Sequence, residues 1–317
     1  KGNLLNEVSV IVPIKDEEQN ISQLFERLVP VVEKNFDDYE ILCIDDGSED
    51  NTVEKIETFC LKNKNIKLVS LSKNFGAFNA VRAGSMIAEK ELTFWIAADL
   101  QDPPEILTEM KEYIENGYEV VWGLRAERKD PIIRKILTGI FYKFLNLTSE
   151  NDYPPKGVDM CLMTKNVREK FNNLSEKSGF IQSLIINFGF KQHFIKYNRE
   201  KRSRGVSKWS NYRKLTKMAV EMVTTSSSFP INFLLFIGTL GLVGSFVKII
   251  HTIFLNYSQL NFLTDFVVFF FFFFCFISGW LGTYTYNVLS EVRDRPLFYF
   301  ANQFNLSDNQ LKIFKEL

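Results

Sequence analysis

The chain lacks an excess of either charge: Lys plus Arg and Asp plus Glu each total 38 in 317 residues. A balance of that kind provides no overall field for attracting a polyanion, so nucleic acid is not an expected partner. Cysteine is sparse. Cys43, Cys60, Cys161 and Cys275 form no CxxC pair, which argues against a zinc ribbon or a disulfide framework and for buried thiols in a reducing compartment. No GxGxxG follows the first apolar run and no GxxxxGK[ST] occurs anywhere, so a dinucleotide fingerprint and a phosphate-binding P-loop are both disfavoured. A cleavable leader is not expected either, because the first apolar run, VSVIVPI, is short and acidic residues follow it.

Charge is also missing locally. Residues 231–247 read INFLLFIGTLGLVGSFV, and residues 266–289 read FVVFFFFFFCFISGWLGTYTYNVL, with no charged side chain in either. A bilayer core about 30 Å thick needs about 20 apolar helical residues, so both stretches are expected to span a membrane. Trp280, Tyr284 and Tyr286 suit an interface. Ahead of the first stretch stand Arg199, Lys201, Arg202, Arg204, Lys208, Arg213, Lys214 and Lys217 against the single acid Glu200, and Arg293 and Arg295 follow the second. The positive-inside rule then places both termini in the cytoplasm. Residues 215–228, LTKMAVEMVTTSSS, have the look of an interfacial amphipathic helix. The apolar stretch 136–146, ILTGIFYKFLN, is expected to form a helix packed in the core of the preceding domain, with membrane contact as the other reading.

The first 130 residues alternate strand and helix signals. Strands are expected over Val8–Ile14, Tyr39–Asp46, Ile66–Ser72, Leu92–Leu100 and Tyr118–Arg125, with helices between them, the first carrying Ile21, Leu24, Leu28, Val31 and Val32 on one face. Such alternation implies an α/β fold around a mostly parallel sheet, whose ligands bind beyond the carboxyl ends of the strands. Polar clusters fall at those ends: KDEEQN, DDGSEDNT, KNFGAFN and DLQDPPE. Carboxylates with an amide oxygen suit a hard divalent cation that keeps water and bridges phosphates, and such a cation points to a nucleoside diphosphate ligand.

With VIVPIKDEEQNI, IDDGSEDNT, LSKNFGAFNAVRAG, ADLQDPPE, GVDMCLMTKNV, RSRGVSKW and EVRDRPLF in place, the chain resembles glycosyltransferase family 2. Within it, the similarity is to membrane-anchored polyprenyl-phosphate glycosyltransferases, including dolichyl-phosphate mannose synthases and bacterial undecaprenyl-phosphate enzymes. The resemblance implies a GT-A-like, Rossmann-type mixed-sheet domain followed by two transmembrane helices. It also implies transfer of a sugar from a nucleotide-diphosphate donor, such as UDP-glucose, to undecaprenyl phosphate with inversion, for envelope glycan modification. The expected division is a cytosolic GT-A domain over 1–212, an interfacial helix over 213–229, a two-helix anchor over 230–290 and a cytosolic tail over 291–317. The expected location is a bacterial cell membrane, with the catalytic domain in the cytoplasm. A homo-oligomer, such as a tetramer, is implied as well.

Carried over by position, Pro13, Glu17 and Asp46 hold the base and ribose of the nucleotide, joined by Asp99. Asp99 and Gln101 ligate Mg²⁺ or Mn²⁺. The family usually has D-x-D here, and Ala97 stands in place of the first Asp. Asp102 orients this loop or reaches the donor sugar, and Asp159 lies near the acceptor phosphate. The segment REKRSRGVSKW has two readings: a patch for anionic lipid heads, or a phosphate clamp of Arg199, Arg202, Ser207 and Lys208 with Gly205 at a sharp turn. Its spacing resembles the family's mobile acceptor loop. The catalytic set so implied is Asp99, Asp159, Lys208 and Arg202. Two rivals are a processive polysaccharide synthase, whose QxxRW element is absent, and a non-catalytic membrane scaffold with a decayed site, raised by Ala97.

Overall fold

The computed structural model describes residues 4–126, 158–174, 181–200 and 296–316, with further positions at 139–140, 143, 147, 220, 270, 273–274, 277–282, 284–289 and 292. Its framework is an eight-stranded sheet in the order β7-β5-β6-β4-β1-β2-β3-β8. The strands are β1 (Glu7–Ile14), β2 (Asp38–Asp45), β3 (Ile66–Leu71), β4 (Leu92–Trp95), β5 (Val120–Arg125), β6 (Val158–Thr164), β7 (Gln192–Tyr197) and β8 (Phe300–Phe304). β1 pairs in parallel with β2 and β4, β2 with β3, and β5 with β7, whereas β6 and β8 run antiparallel to their neighbours. The sheet is therefore mixed, as expected.

Helices cover both faces. On one side α1 (Ile21–Asn35), α2 (Thr52–Lys62) and α4 (Ile106–Glu115) bury their apolar stripes against Val8, Val10 and Val12 of β1. On the other lie α3 (Ala77–Ile87), α5 (Lys165–Asn172) and α6 (Ile181–Ile186), packed with Ile11, Leu42 and Trp122. Burial on both faces explains why the central strands read as nearly unbroken apolar runs. On α1 the inward stripe is Ile21, Leu24, Phe25, Leu28 and Val32. α3 comes so close to β1 that a Cβ on Gly84 would lie 2.5 Å from Ile11 Cγ2. The chain thus needs a glycine inside that helix despite its poor helix propensity.

β3 and β5 fall one and two residues short of their expected ranges, and β4 falls five short. β4 stops at Trp95 rather than Leu100, and Ile96 makes one last bond to the sheet, its N–H donating to Ile11 O at 3.1 Å. Ile96, Ala98 and Leu100 are nevertheless buried. The apolar pattern there reflects a loop packed beneath α4 and its neighbours, and Leu100 adopts a left-handed φ of 58°. At the far edge, residues expected to form a tail add β8 beside β3 and a closing helix, α7 (Asp308–Glu316).

Cys43, Cys60 and Cys161 are buried free thiols, and burial pushes Cys60 up to about 12; Cys275 lies outside the described residues. Among the described residues no helix is long and apolar enough to cross a membrane. The first expected span, 231–247, lies wholly outside them. In the second, positions 277–282 and 284–289 are helical, with Leu281, Tyr286, Val288 and Leu289 exposed. Most of 136–146 and 215–228 also lies outside.

Candidate active site

Sheet order reverses at β1, with β2 and β3 on one side and β4 on the other. A crevice at such a switch point is where an open α/β sheet binds its ligand. Three of the expected polar clusters interlock there. Asp16, at φ 46°, accepts the N–H of Glu49 at 2.9 Å and donates its own N–H to Ser48 Oγ at 2.9 Å. Glu17 N donates to Thr52 Oγ1 at 2.9 Å, and the Glu17 carboxylate accepts from Asn20 Nδ2 at 2.6 Å. Asp46 accepts the N–H groups of Phe75 at 2.6 Å and Gly76 at 2.9 Å, which ties the β2 end to the β3–α3 loop. Burial raises the Asp46 carboxyl above its ordinary pKa, and those two backbone bonds pull the other way. Pro13, half-buried, pairs with Ile44 beside this acid.

Gly47 occupies the turn that follows. Its φ is +73°, and a Cβ would stand 3.0 Å from both Asn74 N and the Lys73 carbonyl carbon. Only glycine meets both demands.

Beyond β4 the carboxylates meet cations. Asp102 is almost fully buried and accepts the Tyr197 hydroxyl at 2.7 Å. Arg199 Nε stands 3.1 Å from Asp102 Oδ1, and its guanidinium also lies 3.5 Å from Asp99 Oδ2. Arg199 Nε is close without being aligned, and it finds no hydrogen-bond partner among the described residues. Asp159, the second residue of β6, is forked by the guanidinium of Arg125, with the Tyr197 hydroxyl 3.2 Å away. An antiparallel strand begins where its parallel neighbours end, which is how an acid at the start of β6 reaches the same edge as Asp99.

The electrostatics follow from this packing. Burial first, then the Asp159 charge, pushes the Asp102 carboxyl up to about 6, against the pull of Arg199 and Tyr197. Burial and the two acids likewise raise the Tyr197 phenol. For Arg125 burial opposes the charge, but Asp159 more than offsets it and the guanidinium stays above its ordinary pKa.

The basic segment starts on this loop. Glu200 N donates to Gln101 O at 2.8 Å, the Gln101 amide donates to Glu200 O at 3.4 Å, and Arg27 holds the carboxylates of Glu200 and Glu105 together at 2.9 and 2.8 Å. Arg202, Ser207 and Lys208 lie outside the described residues. The structure thus gathers Asp99, Gln101, Asp102, Asp159 and Arg199 at one place and Pro13, Glu17 and Asp46 at the adjacent strand ends. Sequence reasoning missed Arg125 and Tyr197. Arg125 had a signal, a charge ending the apolar run YEVVWGLR; Tyr197 had none beyond standing next to the basic segment.

Residues 9–180 match Glycosyl transferase family 2. An uncharacterized glycosyltransferase of Synechocystis sp. is 32% identical over 95% of this chain and 96% of its own length. One of Bacillus subtilis is 30% identical over 96% of each chain. The undecaprenyl-phosphate 4-deoxy-4-formamido-L-arabinose transferase of Proteus mirabilis is 27% identical over 93% of each chain. With this match over more than half of its length, the chain belongs to glycosyl transferase family 2 and is a glycosyltransferase.

Proposed function

We propose that the chain transfers a hexose from a nucleoside diphosphate donor, UDP-glucose or a close relative, to undecaprenyl phosphate at a bacterial cell membrane. The observation that carries this reading is Arg199. The first cation of the basic segment lies beside Asp99 and Asp102, next to the Glu200–Gln101 backbone bond, and a cation held on the acidic edge of the sheet supports a phosphate-binding role for the segment. The Proteus mirabilis relative, named for its undecaprenyl-phosphate acceptor, supports the lipid phosphate. The two uncharged stretches at 231–247 and 266–289 support membrane anchoring, with both termini in the cytoplasm.

In this reaction an oxygen of the acceptor phosphate forms the bond to the anomeric carbon from the face opposite the diphosphate. The bond from that carbon to the diphosphate breaks, and its electron pair leaves with the nucleotide, which inverts the centre. The acceptor is already an anion and needs no strong base. Asp159, paired with Arg125, holds that guanidinium and the Tyr197 hydroxyl in place. Arg199, with Arg202, Ser207 and Lys208 following in the chain, neutralises the phosphates.

Among the described residues no group of three or more His, Cys, Asp or Glu is gathered to hold a metal. Asp99, whose carboxylate accepts the Gln101 N–H at 3.2 Å, and Gln101 would instead supply a carboxylate and an amide oxygen to a Mg²⁺ or Mn²⁺ ion, with the donor's diphosphate and water as further ligands. Bound there, the ion would neutralise charge on the leaving diphosphate. Ala97, where the family usually has an acid, is consistent with such a lean donor set.

The test is direct. The full chain in detergent is mixed with undecaprenyl phosphate and a panel of nucleotide sugars, and lipid products are read by mass spectrometry with and without EDTA. A glycosyl phospholipid from one donor, lost on chelation, is expected. Asp99→Asn should lower turnover about 100-fold or more. No lipid product from any donor in the presence of Mn²⁺ would sink the acceptor assignment, and unchanged turnover in Asp99→Asn the metal assignment.

A further inference from the structure

Resting on the nucleotide reading of the Asp46 edge, we infer that Tyr299 is a positioning residue for the donor pocket: it sets the 72–76 loop against Asp46. That loop is gripped from two sides. On the pocket side the N–H groups of Phe75 and Gly76 point at the Asp46 carboxylate, and the Lys73–Asn74 backbone closes on Gly47. On the outer side Ser72 N donates to Tyr299 O at 2.9 Å, and the Tyr299 ring leans on the Phe75 ring with centroids 6.4 Å apart. The Ser72 bond and the ring contact thus bear on the same short backbone that presents the Phe75 N–H to Asp46.

The segment that carries Tyr299 is itself well anchored. Next to it, Phe298 is buried in the core, and β8 pairs Phe300 with Leu71 and Asn302 with Ser70. Phe300 stacks on Phe314 of α7 at 5.0 Å. Further along, Gln310 Nε2 donates to the carbonyl of Ile87, the last residue of α3, at 2.8 Å. Residues 298–314 therefore hold both the loop that opens α3 and the residue that ends it. In the chain Tyr299 follows closely on the uncharged stretch 266–289.

Because Tyr299 is about half exposed, its truncation leaves the core intact. The experiment uses the full chain in detergent, with UDP and Mn²⁺ as the binding probe. In Tyr299→Ala, the Kd for UDP and the donor KM are expected to rise about threefold to tenfold, the range set by loss of one aromatic pair. The kcat and the KM for undecaprenyl phosphate should not change. Tyr299→Phe keeps the ring and should restore the wild-type donor KM. Wild-type UDP affinity in Tyr299→Ala overturns the inference, as does a loss confined to kcat and thermal stability. Asp46→Asn separates this from the reading beneath it. If Asp46→Asn loses UDP while Tyr299→Ala does not, only the positioning role falls. If Asp46→Asn binds UDP as wild type does, the nucleotide pocket is elsewhere and both fall.

Discussion

The Tyr197 hydroxyl donates to Asp102 at 2.7 Å. The bond joins the last residue of β7 to an acid in the loop after β4, and it gives Asp102 one of the few donors within its reach. Asp102 is still costly to ionise. Its carboxyl holds a proton up to about 6, against an ordinary 3.8, because burial and then the Asp159 charge disfavour the anion.

Between those two values the folded chain keeps a proton that the unfolded chain has released, so stability falls as pH rises through that window. Above it the full cost is present, on the order of 3 kcal/mol. Asp99, Asp159 and Arg199 also face Asp102 and remain in a variant that removes only this acid. In EDTA, the melting temperature of the wild type is expected to fall relative to Asp102→Asn between about pH 4 and about pH 6. Parallel curves would refute the buried-acid assignment. Tyr197→Phe deletes a donor that lowers the Asp102 pKa, and the fall should then extend to higher pH.

Arg125 and Asp159 form a second test. Both side chains are mostly shielded, and the guanidinium meets the carboxylate through two nitrogens. Arg125→Met strands the acid and is expected to cost about 2 to 3 kcal/mol in denaturant unfolding. Arg125→Lys keeps the charge but not the fork, and a loss of about 1 kcal/mol is expected together with slower transfer. A lysine variant with wild-type stability and turnover would show that charge alone suffices there.

Gly47 tests the turn on the Asp46 side of the site. An alanine there carries a disfavoured positive φ, which costs about 1 to 2 kcal/mol, and its Cβ presses on the Lys73–Asn74 backbone. Gly47→Ala should raise the donor KM and lower the melting temperature, with the KM for undecaprenyl phosphate unchanged. A donor KM equal to that of the wild type would mean the 73–74 backbone can retreat without disturbing the pocket.

The first three strands were legible because each is buried on both faces: Ile11, Leu42 and Val69 point to one helical layer, Val10, Ile41 and Leu68 to the other. The end of β4 was not, since Ile96, Ala98 and Leu100 are as apolar as strand residues while packing as a loop. β8 pairs with β3 across more than two hundred residues of chain, and nothing local in FANQF announces that partner. Within the site, Asp46, Asp99 and Asp159 could be named from type, position and resemblance. Arg125 could not be joined to Asp159, because antiparallel β6 brings the acid to it from a distant part of the chain.

Gln310 extends that lesson into a prediction. It is fully buried in α7, and its amide is satisfied at both ends. Nε2 donates to Glu40 Oε2 and to Ile87 O, each at 2.8 Å, while Oε1 accepts from Lys67 Nζ at 2.9 Å and Ser307 N at 3.0 Å. Glu40 in turn accepts Ser9 Oγ at 2.6 Å and Glu89 N at 2.9 Å, so the knot fastens the closing helix across β1, β2 and β3. Gln310→Ala leaves buried groups without partners and is expected to cost about 2 to 4 kcal/mol. Gln310→Glu has nearly the same shape but turns an oxygen toward Glu40 Oε2 and Ile87 O, two acceptors. It should be less stable than the alanine variant at neutral pH and recover part of the difference on acidification, as the new carboxyl gains a proton to donate. Thermal melting at two pH values decides the matter. If the glutamate variant is as stable as the wild type at neutral pH, the 310 side chain does not hold the helix through this amide.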